Sequence, residues 1–159
     1  MAYDRKLEAV SKHMVQRCET VAVAESVTAG LIQSAFSLAT DATRFFQGGI
    51  TAYNLGQKAR HLHIDPIYAE LCNCVSAEVA CEMATGVTAL FISHWGIAIT
   101  GYAAPVPALK VRSCFAFYSF AYKGSIVHQD KIETRKRGIA NVQNYYVDKV
   151  LQAFLKFLA

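Results

Sequence analysis

The chain has 159 residues, of which 53% are hydrophobic and 18% charged, with a formal net charge of +4 at pH 7. That length suits one domain burying about 70% of the surface its unfolded form exposes, and the composition excludes disorder. No apolar run approaches the ~18 residues a bilayer span needs, and the N-terminal MAYDRKLEAVSKH lacks the apolar core of a signal peptide. The expectation is a cytoplasmic protein with no membrane association.

In chain order, Leu7, Val10, Met14 and Val15 recur at helical spacing and predict an amphipathic helix from about Tyr3 to Cys18. Val21 to Ala24 reads as a short buried strand that breaks at Glu25, Ser26 and Thr28 into a helix starting near Thr28. LATDATRF has no period and reads as loop. Ile50 to Tyr53 predicts a second strand, and Asn54 caps a short helix carrying Lys58 and Leu62 that Asp65-Pro66 stops. Ile67 to Val75 is read as loop with a helical turn. Ser76 caps a long helix whose buried stripe is Val79, Met83, Val87 and Leu90, and Gly96 to Thr100 is a third strand. Ser113 to Tyr122 and Ser125 to Glu133 form a hairpin about Lys123-Gly124, and a last helix runs from Gly138 to Leu158.

Strands linked by helices demand parallel crossovers, whereas a tight hairpin demands an antiparallel pair. The fold class is therefore α/β, a three-layer α/β/α sandwich with a mixed, mostly parallel sheet of about five strands, all in one domain spanning 1–159. Ligands in such sheets collect at the carboxyl ends of the parallel strands, here the segments AES, TAY and ITG. At the first of these, a hydroxyl and free backbone N–H groups meet between a strand and a helix, a setting that stabilises an anion or a developing oxyanion. Ser26 sits at its tip.

The five cysteines are odd in number and scattered through apolar segments, the usage of reduced, buried thiols. Cys72 and Cys74 lack the spacing of structural zinc pairs, so no metal is expected. None of the five histidines has a partner pattern. Arg135, Lys136 and Arg137 are the one dense basic run, too small for a nucleic-acid footprint, so no nucleic-acid partner is expected, although the basic balance suits a small anionic ligand.

AESVTAGL (24–31), GGITAYNLGQK (48–58), VSAEVACEMATG (75–86) and AITGYAAP (98–105) resemble four ordered motifs of the CinA competence-damage-inducible proteins' C-terminal domain. Active members of that family are nicotinamide-nucleotide amidohydrolases. The resemblance implies hydrolysis of the carboxamide of nicotinamide mononucleotide to the acid and ammonia, without metal or cofactor, by a homodimer. It makes Ser26 the nucleophile and Lys58 the base, with Tyr53 relaying a proton or orienting either group. Substrate contacts are then expected from Glu25, Thr28, Thr100, Gly101, Arg112 and Arg137.

Taken alone, Ser26 reads as a helix N-cap, Lys58 as a solvated lysine and Tyr53 as a packed aromatic. Glu25 has two readings, orienting the lysine or satisfying backbone donors. Four departures stand out. Val27 and Ala29 replace the family's Cys and Gly; the glycine-rich loop after Thr100 becomes GYAAPVPALK; Arg112 stands where the family has Gly; and Ala140 or Asn141 occupies the place of an arginine in the last helix. Arg135 and Arg137 are candidates to replace that arginine as phosphate ligands. The alternative function is a catalytically silent member that binds a nucleotide or a protein.

Overall fold

A computed structural model describes residues 4–159. The elements are α1 (Asp4–Arg17), β1 (Val21–Glu25), α2 (Leu31–Ser37), α3 (Ala42–Phe45), β2 (Phe46–Thr51), α4 (Leu55–Leu62), α5 (Pro66–Leu71), α6 (Ala77–Phe91), β3 (Trp95–Tyr102), β4 (Cys114–Tyr122), β5 (Ser125–Thr134) and α7 (Ile139–Leu158). Tyr3, the predicted start of the first helix, lies outside the described residues.

The five strands form one sheet in the order β2-β1-β3-β4-β5. β1 pairs in parallel with β2 and β3, whereas β3–β4 and β4–β5 are antiparallel. The mixed sheet follows from the connections. Lys123 and Gly124 both take positive φ, 50° and 80°, the conformation of a two-residue turn matching the twist of its flanking strands.

Side chains alternate across the sheet, and each face has its own core. Val21 and Val23 of β1 join Ile97 and Ile99 of β3 and Phe120 of β4 against α1, α2 and α7, where Val10, Met14, Phe36, Tyr146 and Phe154 are fully buried. Ala22, Ala24 and Ala98 face the other way, onto Leu62 of α4 and Val79, Met83 and Val87 of α6. This second face is built of small residues, which lets α6 lie close. A Cβ on Gly96 would come within 2.2 Å of the Ala84 carbonyl oxygen. Leu90, predicted on the buried stripe of α6, is about half exposed, and Phe91, one residue on, packs against the core and Gly48 of β2 in its place.

Local differences from expectation have physical causes. The helix after β1 starts at Leu31, behind a left-handed Gly30, because the five residues from Ser26 to Gly30 form a turn between them. The strand predicted at Ile50 to Tyr53 runs instead over Phe46–Thr51. Thr43 and Arg44, read as loop, lie in the single turn of α3. Asp65 ends one helix and begins another: its carboxylate accepts from the N–H groups of Ile67 and Tyr68, and Pro66 opens α5.

α2 leaves β1 toward one face of the sheet, and α4 leaves β2 toward the other. The two departures open a crevice at the carboxyl ends of β1, β2 and β3. No described helix is long and apolar enough to cross a membrane.

Candidate active site

Ser26 follows the last residue of β1 and is held by the sheet. Its N–H donates to the Ile99 carbonyl at 3.1 Å, and the Ala52 N–H donates to the Glu25 carbonyl at 2.9 Å, so both neighbouring strands fix the turn. Glu25 is fully buried. Its carboxylate accepts from the Thr28 hydroxyl at 2.5 Å and from the N–H groups of Gly30, Ile32 and Gln33 at 3.1, 3.1 and 2.8 Å. It therefore satisfies the orphan donors of α2, an arrangement that suits a negative charge at a helix start. Of the two readings of Glu25, satisfying backbone donors is the one observed. Glu25 and Thr28 were expected to touch substrate, but neither lines the pocket, because their side chains are spent on each other and on the helix.

This frees Ser26 from capping. Its Oγ accepts a hydrogen bond from Lys58 Nζ at 2.9 Å, and Nζ also donates to the Ala52 carbonyl at 2.8 Å. Lys58 occupies the inward face of α4, one turn before buried Leu62, because Asn54 caps that helix by accepting from the Gln57 N–H. Its side chain is 1% exposed, and no carboxylate lies within ion-pair distance among the described residues. Burial pushes the pKa of its ammonium below the ordinary lysine value, with a smaller opposing pull from the Cys74 thiol.

Ser26 and Lys58 open into a cavity of about 490 Å³, also lined by Tyr53, Cys74, Thr100, Gly101 and Tyr102. Thr100 is buried and donates its hydroxyl proton to the Cys74 carbonyl at 2.7 Å, leaving its lone pairs to accept. Tyr53 stands at the mouth, 69% exposed, its hydroxyl without a hydrogen-bond partner among the described residues. The N–H groups of Val27 and Thr28 likewise donate to no protein acceptor among those residues.

The loop after β3 is folded on itself. Val106 and Val111 form an isolated antiparallel bridge around a 3-10 turn, Pro107–Leu109, and Val106 reaches the cavity wall. Arg112 and Arg137 do not line the Ser26 cavity as the sequence led us to expect, but a second one beside it.

Cys74, Glu70 and Gln143 are among the polar pocket residues that carry no reading as substrate-site residues in the sequence. Cys74 arrives through a turn in which Asn73 and Cys74 both take positive φ, 53° and 61°, which apolar patterning does not signal. Glu70 reaches the wall from α5, in a segment where the sequence predicts loop with a helical turn. Gln143 donates to the Val27 carbonyl at 2.8 Å and ties α7 to the serine turn. A polar residue one turn after Ile139, beside the stripe residue Val142, is the signal that marks it. No cluster of three or more His, Cys, Asp or Glu among the described residues is arranged to hold a metal ion.

The CinA C-terminal domain family model matches residues 4–158. The chain belongs to the CinA C-terminal domain family. A CinA-like protein of Rippkaea orientalis is 40% identical over 119 residues, 75% of this chain and 28% of that protein. The CinA-like protein of Synechocystis is 42% identical over 90 residues, 57% of this chain and 22% of its own length. This CinA domain thus spans about a quarter of the curated relatives it matches. In structure it is similar to CinA superfamily proteins of Klebsiella pneumoniae, with TM-score 0.90 at 21% identity over 98% of this chain and 96% of that one, and of Escherichia coli, with TM-score 0.86 at 25% identity over 97% and 89%. The three-layer fold read from the order of helices and strands is the one found.

Proposed function

We propose that this CinA domain is an amidohydrolase that cleaves the carboxamide of nicotinamide mononucleotide to nicotinate mononucleotide and ammonia. One observation carries the reading: a serine hydroxyl at the end of a central strand, 2.9 Å from a fully buried lysine amine that has no acidic partner among the described residues. A lysine in that setting loses its proton more readily than one in water. Once neutral, it keeps a donor for the Ala52 carbonyl and turns its lone pair toward Ser26.

In the proposed reaction, Ser26 Oγ attacks the carboxamide carbon as its proton passes to Lys58 Nζ. The N–H groups of Val27 and Thr28, otherwise unused, stabilise the oxyanion of the tetrahedral intermediate. Lys58 then returns the proton to the departing nitrogen and ammonia leaves an ester on Ser26. Water hydrolyses the ester, delivering its proton through Lys58. Thr100, its own proton held by the Cys74 carbonyl, accepts from the carboxamide NH2 and so orients the leaving group. Tyr53 borders the entrance, where it orients the substrate.

The test is ammonia release from millimolar nicotinamide mononucleotide by the purified protein, with nicotinate mononucleotide formed in equal amount. Absence of turnover overturns this reading. The glycine-free loop closed by the Val106–Val111 bridge favours one other, a catalytically silent nucleotide binder, for which calorimetry shows binding of the same nucleotide without hydrolysis.

A further inference from the structure

The Ser26 cavity holds one charged group that the proposed reaction leaves unused. Among the described residues that line it, Lys58 is the one cation and Glu70 the one carboxylate. The two are placed differently. Lys58 is buried and spent on Ser26 and the Ala52 carbonyl, whereas Glu70 is exposed near the end of α5 and enters none of the ion pairs among the described residues. Its carboxylate accepts no hydrogen bond from a described residue either. On an open helix face such a glutamate is an ordinary solvated charge. Here it borders the space that a substrate fills.

Attack by Ser26 on an amide builds negative charge on the carboxamide oxygen, and a carboxylate in the wall works against that charge. With Lys58 neutral, as the reaction requires, Glu70 moreover leaves the lining net negative. Such a cavity favours a substrate that brings a positive charge of its own. The ring of a nicotinamide nucleotide is a pyridinium cation, because its nitrogen carries the bond to ribose. Two aromatic rings add to the same preference, since an aromatic face attracts a cation placed over it. Tyr53 lines the cavity from the segment between β2 and α4, and Tyr102 lines it from the end of β3. Tyr102 is held in place by Phe115, packed edge-on with ring centres 5.4 Å apart, and by the Tyr146 hydroxyl, which donates to the Tyr102 carbonyl at 2.8 Å.

We infer that Glu70 is a specificity-determining residue, which selects amides carried on a cationic ring over the same amides on a neutral ring. The inference rests on the amidohydrolase reading for the reaction and on the charge of the lining for the selectivity. Glu70 touches no reacting atom in this scheme. It acts on the charge of the ring that carries the carboxamide.

The experiment compares kcat/KM for nicotinamide mononucleotide and for its reduced form, whose dihydropyridine ring is neutral and whose carboxamide, ribose and phosphate are the same. A pyridinium also activates its carboxamide toward attack, so the quantity read is the change in preference from one protein to another. Glu70→Gln lowers the preference for the cation about tenfold, the size of one charge–charge contact at a partly exposed site, and Glu70→Asp retains part of it. Added salt erodes the preference of the wild type and leaves that of Glu70→Gln unchanged. Glu70 is exposed and glutamine has its shape, so thermal unfolding of the variant matches the wild type. The same preference in wild type and Glu70→Gln, or a wild-type preference indifferent to salt, overturns the inference. Should neither amide be hydrolysed, the amidohydrolase reading falls, and calorimetric titration with the same two nucleotides carries the test of Glu70. The wild type then binds the oxidised nucleotide about tenfold more tightly than the reduced one, and Glu70→Gln binds the two alike. One affinity ratio shared by both proteins, or no binding of either nucleotide by the wild type, overturns the inference.

Discussion

A lysine buried without a carboxylate is costly in its charged form, and Lys58 accepts that cost beside Ser26. The lowered pKa of Lys58 acts on both rate and stability. For the reaction, the amine must be neutral to take the serine proton, so kcat/KM rises with pH along a limb centred below the ~10.4 of an unperturbed lysine. Lys58→Arg abolishes that limb together with most of the activity. A pH profile in which the limb survives in Lys58→Arg assigns it to another group. For stability, the unfolded chain binds this proton more tightly than the folded one. The Lys58 contribution therefore becomes more favourable as pH rises from its folded pKa to its unfolded pKa, and is least favourable below the folded value. Lys58→Met accordingly flattens the pH dependence of urea midpoints over that window, and an unchanged slope counts against the shift. Lys58 was legible as a candidate through its motif, but its burial was not. A lysine four residues before Leu62 reads as solvated until the neighbouring strand ends are in place.

At the scale of elements, short-range rules decided what could be read. Asn54 and Ser76 cap α4 and α6 as their types suggest, and Lys123-Gly124 turns the hairpin. α2 escaped that reading because the group satisfying its first donors is Glu25, five to eight residues earlier, rather than a residue at its own start. β2 escaped because Gly48 and Gly49 look like a turn, whereas Gly49 is a strand position with no room for a side chain. A Cβ there would sit 2.4 Å from the Val23 carbonyl oxygen. Ala29 holds φ at 51° in the serine turn, is exposed and does not line the cavity. Relieving a left-handed alanine is worth about 1 kcal/mol, so Ala29→Gly raises the unfolding free energy by about that amount in urea titrations. A destabilised Ala29→Gly would mean that the turn is not strained.

Across the whole molecule, one sheet separates two cores, and the site belongs to the alanine-rich side and the strand ends. The opposite core, with α1 and α7, carries the larger side chains and so more of the stability. Phe154 is fully buried there, edge-on to Trp95 and Phe120. Phe154→Ala costs about 3–5 kcal/mol, a large part of the 5–15 kcal/mol expected for such a domain. Ammonia release from the fraction that stays folded at 25 °C is unchanged; altered KM in folded protein would show that the two cores are coupled. The division between cores was legible in β1, where Val and Ala alternate. That Ser26, Tyr53 and Thr100 lie at neighbouring strand ends was legible from the segments AES, TAY and ITG, whereas the place of Lys58 beside Ser26 was legible only through the resemblance, because it comes from a helix. The loop closing the cavity was not legible, since its bridge lies outside the sheet.

In the proposed reaction Ser26 forms and releases the acyl bond, so the decisive experiment is ammonia release from nicotinamide mononucleotide by Ser26→Ala beside wild type, with matched thermal unfolding. The expected loss is about 1,000-fold or more, as for removal of other enzymic nucleophiles. Activity of Ser26→Ala within tenfold of wild type rules out Ser26 as the nucleophile.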